Sequence, residues 1–490
     1  MLFNSSVFLF QFLPVTLALY YLSLRFGGLV LAQVVLLLAS LWFFAADKPA
    51  LLILLLGSCA VNYALSLWLM RKPSMQLLAL GIVFNLLLLF VFKYTDFALG
   101  NMNALLGTSV PLPHIALPLG ISFLTFHQIS YLVDVKRGVT RPQSWWRFLL
   151  YISFFPHLIA GPIVRHAELM PQLCRKISRH WSTHLSVGLT VFVIGLAKKV
   201  LIADPLAVFA DPVFAAADKG ESIGFMMAWL ASFAYMFQIY FDFSGYSDMA
   251  IGLARMFGLR LPLNFMAPYR ATSVIEFWRR WHITLSRFLR DYLYFSLGGN
   301  RHGQWRRWGN LMLVMLLGGL WHGASWTFAV WGLLHGAYLV INHAWVALAR
   351  SRFPQRKNMV LWRMASWGLT MLAVLVAWVF FRAETFSGAL NMLQSMLSLP
   401  DGEDYATLRH EHRTALYLLL AGALVLLAPT ATQLLSRYRP AMPPVPPAWR
   451  ILGRRILWQP TALWAFATAA LLFAVLTQIS KPSAFIYFRF

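Results

Sequence analysis

The chain has 490 residues, 59% of them hydrophobic and 12% charged, with a mean hydropathy of +0.64 and a formal net charge of +24. A soluble domain carries about 25% charged residues, and half that share leaves too little polar surface for a soluble protein of this length. The excess Arg and Lys lie between apolar runs, where positive cytoplasmic loops are expected, and this argues against nucleic acid as the reason for the charge.

The first apolar run, residues 5–24, has no basic flank before Arg25 and no small-residue cleavage site after it, so it reads as a retained helix and not a signal peptide. A spanning helix takes about 20 mostly apolar residues. Further candidates fall at 27–46, 49–70, 76–95, 114–133, 147–165, 184–203, 222–243, 308–328, 329–349, 358–380, 415–433 and 461–480. With the doubtful segments discounted, the expectation is an all-α polytopic integral membrane protein with about 11 transmembrane helices. It forms a single membrane-embedded domain, 1–490, without internal repeats, and its chemistry is carried by residues of about 114–349. Cys59 and Cys174 stand singly and read as small packed side chains, giving neither a disulfide framework nor a metal knuckle.

Segment 147–165 holds Pro156, His157, Gly161 and Pro162, which predicts a broken or re-entrant helix covered by protein or water. Segment 184–203 ends in Lys198 and Lys199, the mark of an interface. Tyr240-Phe-Asp-Phe-Ser-Gly-Tyr-Ser-Asp248 then sets two carboxylates and several hydroxyls at the end of an apolar run. Asp242 fits the polar wall of a cavity, a partner that orients a histidine, or a cap. Ser247 or Asp248 fits the cap of a helix beginning near Ser247.

Over 273–297 the pattern predicts one amphipathic helix. At about 100° per residue, Glu276, Arg279, Arg280, Arg287, Arg290 and Asp291 share a stripe of roughly 120°. Trp278, Trp281, Leu285, Phe288, Leu289 and Tyr292 lie opposite, and His282 falls toward the apolar arc. Such a helix lies in an interface or lines a cavity.

Residues 308–349 contain no Asp, Glu, Lys or Arg and predict two spans joined by a tight glycine-rich turn. His322 stands here in Leu-Trp-His-Gly-Ala-Ser-Trp, with His335 and His343 further on. An imidazole at membrane depth is costly and by default faces a cavity. The other reading is a packing histidine among Gly318, Gly319 and Gly323, whose missing side chains let backbone or substrate approach.

Loop charge orients the last third. Residues 350–357 carry Arg350, Arg352, Arg356 and Lys357 without an acid; 382–414 carry Glu384, Asp401, Glu403, Asp404 and Glu411; 434–459 carry Arg437, Arg439, Arg450, Arg454 and Arg455 without an acid. The positive-inside rule puts the first and third in the cytoplasm, and the second and the C-terminus outside. The chain lacks a G-x-S-x-G elbow, a P-loop, G-x-G-x-x-G, D-x-D and H-x-x-x-x-D. What remains is membrane-embedded histidines near arginines that suit phosphate, and the simplest chemistry for that set is a histidine base acting on a hydroxyl or thiol.

In order along the chain stand Phe8-Leu-Phe-Gln-Phe-Leu-Pro14, Leu117-Pro-Leu-Gly-Ile-Ser-Phe123, Phe155-Pro-His-Leu-Ile-Ala-Gly-Pro162 and the Tyr240–Gly252 stretch. After them come Glu276-Phe-Trp-Arg-Arg-Trp-His282, Leu289-Arg-Asp-Tyr-Leu-Tyr294, Leu297-Gly-Gly-Asn300, Gly318-Gly-Leu-Trp-His-Gly-Ala-Ser-Trp326, Phe380-Phe-Arg-Ala-Glu384 and Tyr487-Phe-Arg-Phe490. This series resembles the membrane-bound O-acyltransferase family and, within it, the alginate O-acetyltransferase group. The resemblance implies a helical bundle around a central tunnel, with re-entrant or interfacial helices, in the bacterial inner membrane. It maps His322 onto the family's catalytic histidine and His282 onto its second functional histidine. It implies acetyl-CoA as donor substrate, no permanently bound cofactor and no metal; the related teichoic-acid D-alanyl transferases take their acyl group from a carrier protein instead.

Arg279, Arg280, Arg287, Arg290, Arg306 and Arg307 are then candidates for the donor side, with membrane anchoring as their other reading. Asp242, Trp321, Ser325 and His335 are further cavity candidates. The expected function is acetyl transfer for O-acetylation of an exported polysaccharide, alginate or cellulose-like, completed by periplasmic partners. Peptidoglycan or a lipid is the alternative acceptor. A transporter or flippase is the alternative of another class, against which stand the missing repeat and the single broken segment.

Overall fold

The computed structural model describes residues 1–46, 48–175, 181–352, 360–400, 411–443, 457–479 and 484–486. Every regular element among them is a helix. Seven are long and apolar enough to cross a membrane: Phe8–Phe26, Gly28–Ala45, Leu51–Arg71, Met75–Leu106, Trp181–Asp218, Trp326–Ala349 and Val360–Arg382. His412–Leu427 and Ala462–Leu476 are apolar but shorter. Their outer faces stay greasy: Val83, Leu86 and Leu87 are 50%, 48% and 57% exposed, a surface suited to lipid and not to water. A helix keeps its backbone hydrogen bonds inside itself, which is what hydrocarbon demands.

The difference from the expected count of about eleven arises mostly in the middle of the chain. Segment 114–133 becomes helical only at Ile121–Lys136, because Pro111, Pro113 and Pro118 keep the preceding stretch from forming a helix. Segment 147–165 breaks, as expected, into Trp145–Ser153 and Phe155–Leu158. Three other expectations are corrected. No helix begins near Ser247: Ser247 and Asp248 are buried well inside the continuous helix Phe225–Met256, so neither caps it. Lys198 and Lys199 do not end a span, since the helix widens into a π segment at Lys198–Ala203 and runs on through Asp204–Asp218. Pro205 explains that segment, because it cannot donate the helical hydrogen bond that would fall there. Finally, 273–297 is not one helix but Val274–Trp278, Ile283–Phe288 and a π segment, Leu289–Tyr294.

The chain packs into two compact units. The first comprises Met1–Ala197, Tyr246–Leu263 and Ala431–Phe488. Its Leu51–Arg71, Met75–Leu89 and Ile121–Lys136 helices meet around a buried polar knot. Asn62 Nδ2 shares its two hydrogens among Ser58 O (2.9 Å), Gln128 Oε1 (3.0 Å) and Asn85 Oδ1 (3.2 Å), while Asn85 Nδ2 donates to Asn62 Oδ1 and Gly81 O, both at 2.7 Å. Ser58 Oγ donates to the same Gln128 oxygen at 2.8 Å. Among apolar spans, side-chain hydrogen bonds of this kind fix which helix faces which.

The second unit is chiefly Lys198–Gly245 and Asn264–Thr430. It contains the hairpin Gly303–His322 followed by Trp326–Arg352, whose residues 308–349 carry no Asp, Glu, Lys or Arg, and the Val360–Arg382 helix beside it. Arg356, Lys357, Asp401, Glu403, Asp404, Arg450, Arg454, Arg455 and Tyr487–Phe490 lie outside the described residues, as do the side chains of Arg350 and Arg352 and most of the expected external C-terminus.

Candidate active site

The hairpin sets His322 at the last position of its first helix. Gly323, extended at φ −157°, ends that helix, and the chain turns within three residues. The turn is secured at Ser325, whose Oγ accepts the Thr327 N–H at 3.3 Å and lies 3.0 Å from Thr327 Oγ1. The two helices touch backbone to backbone. A Cβ on Gly319 would strike the Phe328 carbonyl and lie 3.0 Å from Gly332 Cα; one on Gly332 would strike the Met315 carbonyl. Here glycine buys helix contact, while the ring of His322 looks onto aromatic side chains.

His322 is 4% exposed. Its ring centroid lies 5.0 Å from Trp321, 5.1 Å from Trp331, 5.3 Å from Phe381 and 6.3 Å from His282. His282 is fully buried and sits at the joint between Val274–Trp278 and Ile283–Phe288, with φ 41° and ψ 53°. That left-handed backbone is unusual for a residue with a side chain and is what breaks the expected single helix. The ring packs edge-on against Phe243 at 4.7 Å. Its Nδ1 is 3.0 Å from Asn264 Oδ1, an atom that also receives Thr284 Oγ1 at 2.9 Å and the Thr284 N–H at 3.4 Å. Burial pushes the His282 pKa down to about 3, so the ring is neutral.

His335 is fully buried, and its Nδ1 accepts the Trp278 indole N–H at 3.3 Å. Trp331 lies 4.9 Å from its ring, so Trp331 touches both His335 and His322. Asp242 is 2% exposed and forms an ion pair with Lys199 at 2.6 Å; Lys199 Nζ also meets Asp204 at 2.8 Å. Among the described residues, no three His, Cys, Asp or Glu side chains are placed to hold a metal ion.

Residues 135–382, which include His282, His322 and their surroundings, match the sequence profile of MBOAT, the membrane-bound O-acyltransferase family. The chain is 42% identical to the peptidoglycan O-acetyltransferase of Helicobacter pylori, covering 81% of this chain and 80% of that protein. It is 44% identical to the probable alginate O-acetylase AlgI of Pseudomonas putida, covering 82% and 81%. A teichoic acid D-alanyltransferase of Streptococcus thermophilus is 28% identical over 49% of this chain and 60% of its own length. The chain belongs to the membrane-bound O-acyltransferase family. It is thus an all-α, multi-pass membrane enzyme that transfers acyl groups to oxygen.

In this O-acyltransferase the six arginines of the charged stretch differ in their surroundings. Arg280 is half-buried and paired with Glu276 at 2.6 Å. Burial disfavours the Glu276 charge, but the Thr272 N–H and hydroxyl and the Arg280 guanidinium outweigh it and hold the carboxyl below its usual range. Arg290 is exposed and grips Asp291 at 2.6 Å. Arg307 donates to His343 Nδ1 at 2.9 Å. Arg287 is half-buried, and Arg279 and Arg306 are exposed.

Sequence reasoning brought His282, His322 and Trp321 to notice, and the fold gathers all three. It missed Asn264 and misread Lys199 as an interface residue. An amide inside Leu261-Pro-Leu-Asn-Phe265 was the available signal for Asn264, yet its partner is 18 residues away and only the fold reveals it.

Proposed function

We propose that this enzyme takes an acetyl group from cytoplasmic acetyl-CoA and passes it through the bacterial inner membrane for O-acetylation of an exported polysaccharide. The observation that carries this reading is a pair of buried imidazoles, with ring centroids 6.3 Å apart, packed among aromatic side chains of a membrane-embedded O-acyltransferase. The acceptor oxygen attacks the thioester carbonyl while His322 takes its proton; the C–S bond breaks, and the imidazolium returns that proton to the leaving thiolate. His282 orients the acceptor or shares the proton. Positioned general-base catalysis is worth about 10²–10⁴-fold. The exposed Arg279 and Arg306 are the arginines best placed to meet the phosphates of the donor from solvent.

The acceptor is an exported glycan, reached with periplasmic partner proteins. Relatives named for alginate and for peptidoglycan are nearly equally similar to this chain, so peptidoglycan is the second reading. All 490 residues act as one membrane-embedded domain with a periplasmic C-terminus. In a Cys174→Ser background, which removes the exposed native thiol, Asp401→Cys reacts with a membrane-impermeant reagent in intact cells. Arg352→Cys and Arg454→Cys do not, and labelling of Arg454→Cys from outside overturns the orientation. The activity is tested in proteoliposomes holding radiolabelled acetyl-CoA, with a periplasmic extract of the same cells and alginate or peptidoglycan fragments supplied outside. Label on a glycan hydroxyl supports the reading; retention of all label on CoA with either glycan contradicts it.

A further inference from the structure

We infer that Asn264 is the positioning residue that fixes which nitrogen of His282 carries the proton and holds that ring in place for acyl transfer. The inference rests on the reading above that His282 serves the reaction. Asn264 is fully buried, and its two oxygens collect hydrogen bonds from three consecutive residues. Its backbone carbonyl accepts the Ile283 N–H at 2.9 Å. Its side-chain oxygen takes His282 Nδ1 at 3.0 Å, Thr284 Oγ1 at 2.9 Å and the Thr284 N–H at 3.4 Å.

The identity of that side-chain atom follows from the Thr284 backbone. A peptide N–H only donates, so the atom it meets is the amide oxygen and not the amide nitrogen. An amide oxygen carries no hydrogen, so His282 Nδ1 must be the donor. A neutral imidazole with its proton on Nδ1 has its lone pair on Nε2. Asn264 therefore selects Nε2 as the nitrogen able to accept a proton or an acceptor hydroxyl. His335 is the contrast within the same unit: its Nδ1 accepts from Trp278, which puts its proton on Nε2. The two rings are held in opposite tautomers, each by one neighbouring side chain.

The backbone supports the same conclusion. His282 takes a left-handed conformation at φ 41°, seldom adopted by a residue with a side chain. The Asn264 carbonyl on Ile283 and the Met266 N–H on the Arg280 carbonyl, both at 2.9 Å, pin the chain on either side of it. Asn264 touches no substrate in this scheme; it acts through His282.

The test uses the full-length enzyme in proteoliposomes with ring-¹⁵N histidine, the His282 signal being assigned by its loss in His282→Ala. Asn264→Asp keeps an acceptor oxygen, and Asn264→Leu removes it. The wild type and Asn264→Asp are expected to show the Nδ1–H form, and Asn264→Leu a mixture. Asn264→Leu should lower kcat about 10-fold to 100-fold, the size of loss known for partners that orient metal-bound histidines. The KM for acetyl-CoA should hold, and Asn264→Asp should recover most of the rate. If Asn264→Leu does not accumulate, Asn264→Ser removes the amide with a smaller change and is read in the same way. An unchanged tautomer in the variant lacking the amide overturns the inference, as does a kcat equally low in Asn264→Asp and Asn264→Leu. If His282→Ala leaves transfer intact, the functional reading of His282 fails, while the ¹⁵N spectra still decide whether Asn264 sets the tautomer.

Discussion

The asparagine knot of the first unit and the histidine site of the second are both buried amide-centred clusters, and they use the amide differently. In the knot, Asn62, Asn85, Gln128 and Ser58 direct their donors and acceptors to one another and to nearby carbonyls, and the group closes on itself. In the site, the Asn264 oxygen gathers donors from a short stretch of chain and so sets the proton of an imidazole that faces a second imidazole 6.3 Å away. A closed network contributes rigidity and helix register. A network that ends on a titratable ring contributes a proton acceptor in a defined place. Burial by itself does not separate the two, since Asn62, Asn85, Asn264 and His282 are all fully buried.

The comparison breaks if damage to the site harms folding, or damage to the knot harms chemistry. The largest effect is expected for the double replacement His282→Ala/His322→Ala, which should lower transfer by at least about 10²–10⁴-fold. It should do so no more severely than the worse single replacement, because residues acting as a unit are not additive; a purely additive pair would show that the rings work separately. Next is Lys199→Met, which removes the cation paired with the buried Asp242 and should cost about 3–5 kcal/mol of stability in denaturant titration. Asn62→Leu should cost about 1–3 kcal/mol by leaving Gln128 and Asn85 short of a partner, with kcat per folded molecule unchanged. The smallest effect is expected for Arg279→Ala with Arg306→Ala, which should raise the KM for acetyl-CoA and leave kcat in place. Lower abundance at an unchanged KM would instead make those arginines anchors.

What the sequence made legible follows from which forces are local. Long apolar runs predict spans because hydrocarbon leaves a chain no alternative to the helix, and Gly28–Ala45, Leu51–Arg71 and Val360–Arg382 fold close to where hydropathy places them. His322 stood out because an imidazole in a run of 42 residues without Asp, Glu, Lys or Arg has few apolar justifications. The break at His282 was hidden. Nothing from Arg279 to Thr284 is glycine or proline, and the left-handed turn is held by Asn264 through tertiary bonds. Lys199 misled for the same reason. A lysine at the end of an apolar run looks like an interface, but Asp242, 43 residues on, lets it be buried. Ser247 and Asp248 have the composition of a cap, yet packing carries the helix straight through them.

The most direct test of the account is the transfer rate of purified His322→Ala, measured per folded molecule in proteoliposomes with labelled acetyl-CoA and a glycan acceptor. His335→Ala and His343→Ala serve as controls. The account predicts normal membrane level, near-normal binding of acetyl-CoA, a transfer rate lowered by at least about 10²-fold, and much smaller losses in the two controls. A His322→Ala enzyme that keeps more than about a tenth of the wild-type rate retains more than the loss of such a base allows. That result would contradict the assignment of the chemistry to His322.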